Sequence, residues 1–173
     1  MIDFLPHILG AIALIIWVIS LQLSQKYKML FLQLISNVLY GLQYFMLGLF
    51  SAASMNLVSI VRCYIFGIDS KNKKTTPLWL LAVFVSAILV LALMNCKTLL
   101  DFVPIIAALL FTVSSWQKST RIICISCLIA AIFLAIYNFI VGAYINLAGN
   151  VFEISSAVIA IIRSYSKRES EVN

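Results

Sequence analysis

Charge is what this chain most lacks. Only 10% of its 173 residues are Asp, Glu, Lys or Arg, against about 25% in an ordinary soluble domain. There is a single histidine, His7, close to the amino terminus. Catalytic arrangements built on ionisable groups are accordingly missing: the sequence offers no Ser/His/Asp set, no paired-carboxylate motif and no glycine loop of the phosphate-cradling kind. We expect neither an enzyme nor a bound cofactor. Cysteine is scarce as well. Of Cys63, Cys96, Cys124 and Cys127, the last two form a Cys-x-x-Cys spacing inside an apolar run, with no second ligand pair and no neighbouring histidine. That argues against a metal site and leaves no disulfide framework. No basic run precedes the first apolar stretch, where Asp3 stands instead, and no small-residue cleavage site follows it, so a removable signal peptide is not expected.

What is abundant is hydrocarbon. Hydrophobic residues make up 64% of the chain, more than a soluble core of this length can hide. Apolar stretches of about 20 residues, the length that crosses ~30 Å of bilayer interior, fall near Phe4–Leu23, Met29–Leu47, Leu49–Ile68, Pro77–Asn95, Leu99–Trp116, Ile122–Val141 and Ala143–Tyr165. The predicted fold is an all-α integral membrane protein of seven transmembrane helices with no extramembrane domain. Basic residues fall on alternate connections: Lys26 and Lys28, then Lys71, Lys73 and Lys74, then Lys118 and Arg121, then Lys167 and Arg168, with Arg62 and Arg163 toward the same helix ends and only Lys97 opposite. Such asymmetry predicts an external amino terminus and a cytoplasmic carboxyl terminus. It also accounts for the net charge of +6 without any nucleic-acid partner, since the inner leaflet is itself anionic.

A shift of 94 residues lays the chain on itself. Residues 5–68 against 99–162 share 12 identities, among them Phe45 with Phe139, Gly48 with Gly142 and Asn56 with Asn150. Each half carries F-x-x-G followed by Asn, and the glycines mark sharp reversals between two long apolar runs. Three crossings end on the opposite side from where they began, so a second copy in the same orientation needs one extra crossing, which Pro77–Asn95 supplies without a single charge. The expected organisation is 3+1+3: a first three-helix repeat over 1–69, a linker helix with its loops over 70–97, a second repeat over 98–165 and a cytoplasmic tail over 166–173. Parallel repeats are related by an axis along the membrane normal, with a shared site near the midplane where they meet.

Polar residues within the apolar stretches mark where that site would lie. Asn146, Asn150 and Glu153 are spaced i, i+4, i+7 on one face of the seventh helix, and Asn56 and Ser59 take the equivalent places on the third. A carboxylate at mid-membrane costs roughly 3 kcal/mol, so Glu153 should face the interior and be paired or protonated. Gln33, Asn37, Tyr40 and Tyr44 form a further stripe on the second helix, whereas the sixth answers with Cys127, Ala131 and Leu134 until Asn138. The divergence suits an asymmetric ligand. Each polar group has a plainer reading too, since Asn, Gln and Ser also hydrogen-bond between membrane helices for ~0.6 kcal/mol each. We favour a solute cavity for Asn56 and Asn150 and leave both readings open for Gln33, Asn37 and Asn138. Arg62 either pairs with Glu153 or snorkels to the interface. His7 and its counterpart Asp101 are either a gate or interfacial polar residues, the second being the ordinary case. Trp17, Trp79 and Trp116 are either ordinary packing or interface residues or, for Trp17 with its counterpart Phe111, an aromatic wall presented to a ligand.

The runs Phe45-x-x-Gly48 followed by Arg62, and Tyr137-Asn138-Phe139-x-x-Gly142 followed by Ile161-Ile162-Arg163, resemble the two halves of the bacterial inner-membrane YgjV family over nearly the whole chain. That family resembles in turn the wider SWEET, PQ-loop and nicotinamide-riboside-carrier group. The resemblance implies a small-solute carrier, with Asn56 and Asn150 matching the asparagines that SWEETs place around their substrate on the third helix of each repeat. No Pro-Gln pair occurs, and of the prolines that bend SWEET helices only Pro104 has a counterpart, with Gly10 at its partner position. The expected partners are a small polar solute and the lipid bilayer; the fold class also admits a homo-oligomer. A non-transporting receptor or assembly protein is the competing class, and a solvated central cavity against a dry, filled centre distinguishes the two.

Overall fold

The computed structural model of the chain describes residues 5–95 and 102–172. Among these residues all regular structure is helical, in the order α1 (Leu5–Leu21), α2 (Lys26–Met46), α3 (Phe50–Lys71), α4 (Leu78–Asn95), α5 (Phe102–Trp116), α6 (Thr120–Val141) and α7 (Tyr144–Val172). Seven apolar stretches have become seven helices. Four of them contain spans long and apolar enough to cross a membrane, and α1, α4 and α5 are apolar but shorter. The 15 residues of α5 reach only ~22 Å at 1.5 Å per residue. The expected helix starts at Phe4 and Leu99, together with Cys96, Lys97 and Asp101, lie outside the described residues.

Helix ends depart from the hydropathy boundaries for a physical reason: hydropathy marks where hydrocarbon begins, whereas a helix continues until its backbone is stopped. α2 therefore starts at Lys26 and α3 runs on to Lys71. The largest departure is α7, whose 29 residues continue to Val172. The stretch 166–173 is thus no separate tail through most of its length, because Lys167-Arg168-Glu169 are good helix formers and neither Gly nor Pro interrupts them.

Two reversals are built alike. Gly48 and Gly142 adopt φ of 72° and 76°, a conformation open to glycine at no steric cost. At the first, Leu49 N–H donates to the Tyr44 carbonyl at 2.9 Å and Gly48 N–H to Phe45 at 3.1 Å; at the second, Ala143 N–H donates to Asn138 at 2.8 Å and Gly142 N–H to Phe139 at 3.2 Å. These bonds satisfy the last carbonyls of α2 and α6. All four residue pairs are 94 positions apart.

Packing follows the same division. α2 lies between α1 and α3, α6 lies between α5 and α7, and the two groups meet where α1 touches α7 and α3 touches α5. α4 rests on α3 and α5 through Phe84, Ile88 and Ala92, with Phe66 and Phe84 set edge to face at 5.5 Å. Its other face is open hydrocarbon, Leu93 being 82% exposed. Large apolar side chains are exposed on every helix, a surface suited to a lipid surround rather than to water.

Candidate functional site

The interior polar groups come from every helix except α4. On α7, one turn beyond the buried Asn150, Glu153 accepts a hydrogen bond from Trp17 Nε1 of α1, at 2.8 Å to Oε1. The Trp17 ring packs on Phe111 of α5, with centroids 5.3 Å apart. Phe111 in turn carries the Arg62 guanidinium of α3 over its ring, Cζ lying 4.6 Å from the centroid, and Arg62 Nη1 donates to the hydroxyl of Thr112. Thr112 closes the chain by donating to Ala108 O at 2.7 Å. Next to Arg62, the buried Cys63 thiol lies 4.0 Å from Asn37 Nδ2, which donates to Gln33 O at 2.7 Å. The Tyr40 hydroxyl of α2 and the Cys127 thiol of α6 both lie within electrostatic range of the Glu153 carboxylate, and Cys127 within range of Arg62 as well.

Several atoms here are buried without a partner. Gln33 is 0% exposed and neither its Oε1 nor its Nε2 is hydrogen-bonded; Arg62, 2% exposed, leaves Nε unpaired; Asn150, 9% exposed, leaves Nδ2 unpaired. Each such atom costs roughly 1–3 kcal/mol, and native interiors tolerate few of them.

The two seams between the halves correspond. Arg62 of α3 bonds Thr112 of α5, while Ser156 and Val18, 94 residues away from each, are joined by a 2.9 Å hydrogen bond from Ser156 Oγ to Val18 O. Gln22 Nε2 supports the second seam, donating to Ser156 O at 2.8 Å and to Ser156 Oγ at 2.7 Å. Trp17 and Phe111, in contact with one another, are themselves a 94-residue pair.

The residues expected at the site divide accordingly. Glu153, Asn150, Asn37 and Tyr40 belong to the cluster or border it. Arg62 does so in neither way foreseen: it forms no ion pair with Glu153, and it is buried near the middle of α3 rather than snorkelling. The Phe111 ring and the Thr112 hydroxyl hold its head group inward. Asn146 is exposed, because α7 begins at Tyr144 and leaves it in the first turn. Asn56 is half-buried and turns back on its own helix, Nδ2 donating to Ala52 O at 2.8 Å; its Cβ lies 3.6 Å from where a side chain at Gly41 would begin. No hydrogen bond joins it to Asn150. Ser59 is half-buried. His7 is exposed on the first turn of α1, and Asp101 is outside the described residues. Thr112, Ser156 and Gln22 were not anticipated. The one available signal was that Ser156 is the counterpart of Arg62.

At the lysine-bearing end, Lys26, Lys73, Lys74 and Lys118 surround a cavity of about 640 Å³ with Trp116 at its wall. Lys26 Nζ donates to Gln117 O at 2.7 Å and Trp116 Nε1 to Thr76 O at 2.8 Å, tying the α3–α4 and α5–α6 connections to the bundle. No group of His, Cys, Asp and Glu among the described residues is arranged to hold a metal.

The centre is thus closed and polar: a guanidinium, a carboxyl group, amides and aromatic faces meet there, and several of their buried atoms have no hydrogen-bond partner. Such an arrangement can bind and orient a polar molecule. No curated protein and no solved structure was found that matches the chain. A profile of bacterial inner membrane proteins, Imp-YgjV, matches residues 4–168, and the protein belongs to that family.

Proposed function

We propose that this protein is a carrier of a small polar solute across the inner membrane, built as two parallel three-helix repeats joined by α4 in the manner of the SWEET-type carriers. The observation that carries this reading is the set of unpartnered buried atoms on Gln33, Arg62 and Asn150 in the interior of the bundle. Polar residues that serve only as glue bond each other and leave little over. Here donors remain unused at the place where a repeat protein would hold its solute. Correspondence of the α1/α7 and α3/α5 seams supports rocking of one half on the other, a motion that needs two similar contacts to exchange.

A receptor or assembly protein is the second reading, favoured by the closed centre, where Gln33 is 0% exposed. Purified full-length protein screened by thermal shift against a metabolite library identifies a ligand, since a molecule that binds only the folded state raises apparent stability. Proteoliposomes loaded with the hit then test movement: counterflow of labelled solute is expected. Binding without counterflow selects the receptor, and no binding with no counterflow removes the carrier.

A further inference from the structure

We propose that the solute is zwitterionic, its carboxylate held by Arg62 and its ammonium by Glu153, along the aromatic wall of Trp17 and Phe111. This rests on the carrier reading above and specifies its substrate class. A guanidinium is charged at any working pH, and a buried ion without a counter-charge carries a desolvation penalty of several kcal/mol. Arg62 is 2% exposed, yet what surrounds it is a hydroxyl, a thiol and a ring face. Its Nε is unused. The planar fork of Arg matches a carboxylate in two parallel hydrogen bonds, so the missing partner has a defined shape as well as a defined sign.

Glu153 presents the opposite case. Its one hydrogen bond is the Trp17 indole at 2.8 Å, although a carboxylate has about four acceptor sites. Arg62 and Glu153 form no ion pair; the tilted pair Trp17 and Phe111 links them instead, one ring in contact with each group. A neutral polyol would leave both charges uncompensated. With Glu153 ionised, a simple anion would leave its charge unmatched, and a simple cation would leave that of Arg62. Only a molecule bearing both signs completes the set, and the unpaired Gln33 and Asn150 amides remain to read its polar substituents.

The test uses unaltered full-length protein in nanodiscs. Thermal shifts are measured with the proteinogenic L-amino acids, β-alanine and γ-aminobutyrate, each beside its decarboxylated amine and its deaminated acid. At least one zwitterion should raise the midpoint by about 2 °C or more, with neither singly charged analogue doing so at the same concentration. Arg62→Gln and Glu153→Gln should each abolish the shift, but the analogue comparison stands without them should either fail to fold. An acid or an amine that stabilises as well as its zwitterion overturns the proposal, as does the absence of a shift with every zwitterion. In that last case a shift with neutral sugars or nucleosides keeps the carrier reading and removes only the substrate class.

Discussion

Trp17 is the residue on which the interior turns, since it binds Glu153 with its indole N–H and Phe111 with its ring. Trp17→Phe keeps the ring contact and deletes the donor. A hydrogen bond to a charged acceptor contributes about 1.5–3 kcal/mol, so this variant should lose stability on that scale in detergent unfolding, whereas Trp17→Ala should lose more through the cavity it leaves. An unchanged midpoint for Trp17→Phe would mean that Glu153 is held by something else. Glu153→Gln isolates the charge: its side chain still accepts from Trp17 but no longer titrates. If protonation of Glu153 is linked to loading, binding or counterflow of the identified solute should lose its pH dependence in this variant; a retained pH profile would confine Glu153 to a packing role. Much of this site was legible in the residues. The i, i+3 relation of Asn150 and Glu153 survives in the fold, and so does the stripe of Gln33, Asn37 and Tyr40. Periodicity specifies a face but not a depth, which is why Asn146 shares the face and misses the interior. Nor does it show what a side chain meets, which is why the fate of Arg62, decided by Phe111 and Thr112 of a distant helix, was out of reach.

Helix termini tell a similar story one level up. The reversals at Gly48 and Gly142 were legible because a positive φ demands a particular residue, and F-x-x-G recurs at both. A Cβ built at either glycine meets nothing within 4 Å, so substitution there tests backbone strain free of crowding. Gly48→Ala and Gly142→Ala should each cost about 1–2 kcal/mol, and Asn, which tolerates the left-handed region, should cost less at both. The double alanine variant should show the sum, as expected for separate sites that share no partner. Unfolding midpoints in a single detergent decide this; alanine and asparagine behaving alike would remove the strain argument. The long reach of α7 to Val172 was not legible from hydropathy, since a polar sequence without Gly or Pro can be helix or tail, and only continuity with the buried helix before it decides.

For the whole molecule, the seven crossings we propose, with the lysine asymmetry, make a topology that is simple to challenge. A reporter near Asn72 should read cytoplasmic and one at residue 2 external; finding both on one side would remove the three crossings placed between them. The helix count could be read from apolar length, and the shift of 94 residues from a handful of Phe, Gly and Asn matches. What could not be read was which faces meet, because α1 with α7 and α3 with α5 join residues far apart in the chain through side chains of ordinary kind. One such meeting carries a consequence of its own. Trp17 and Phe111 touch, and each is the other's counterpart; under a two-fold relation a residue can meet its own image only beside the axis. An ancestral unit of three helices that paired with an identical copy would have been bound to show the same side chain twice there, and the same again at the position now held by Glu153 and Ser59. Two carboxylates facing each other in hydrocarbon would have repelled, and two serines would have carried no charge. On the repeat reading proposed above, joining two such copies through α4 frees the halves to differ, and an interior with one acid on one seam and one guanidinium on the other is something no pair of identical chains related by such an axis can build.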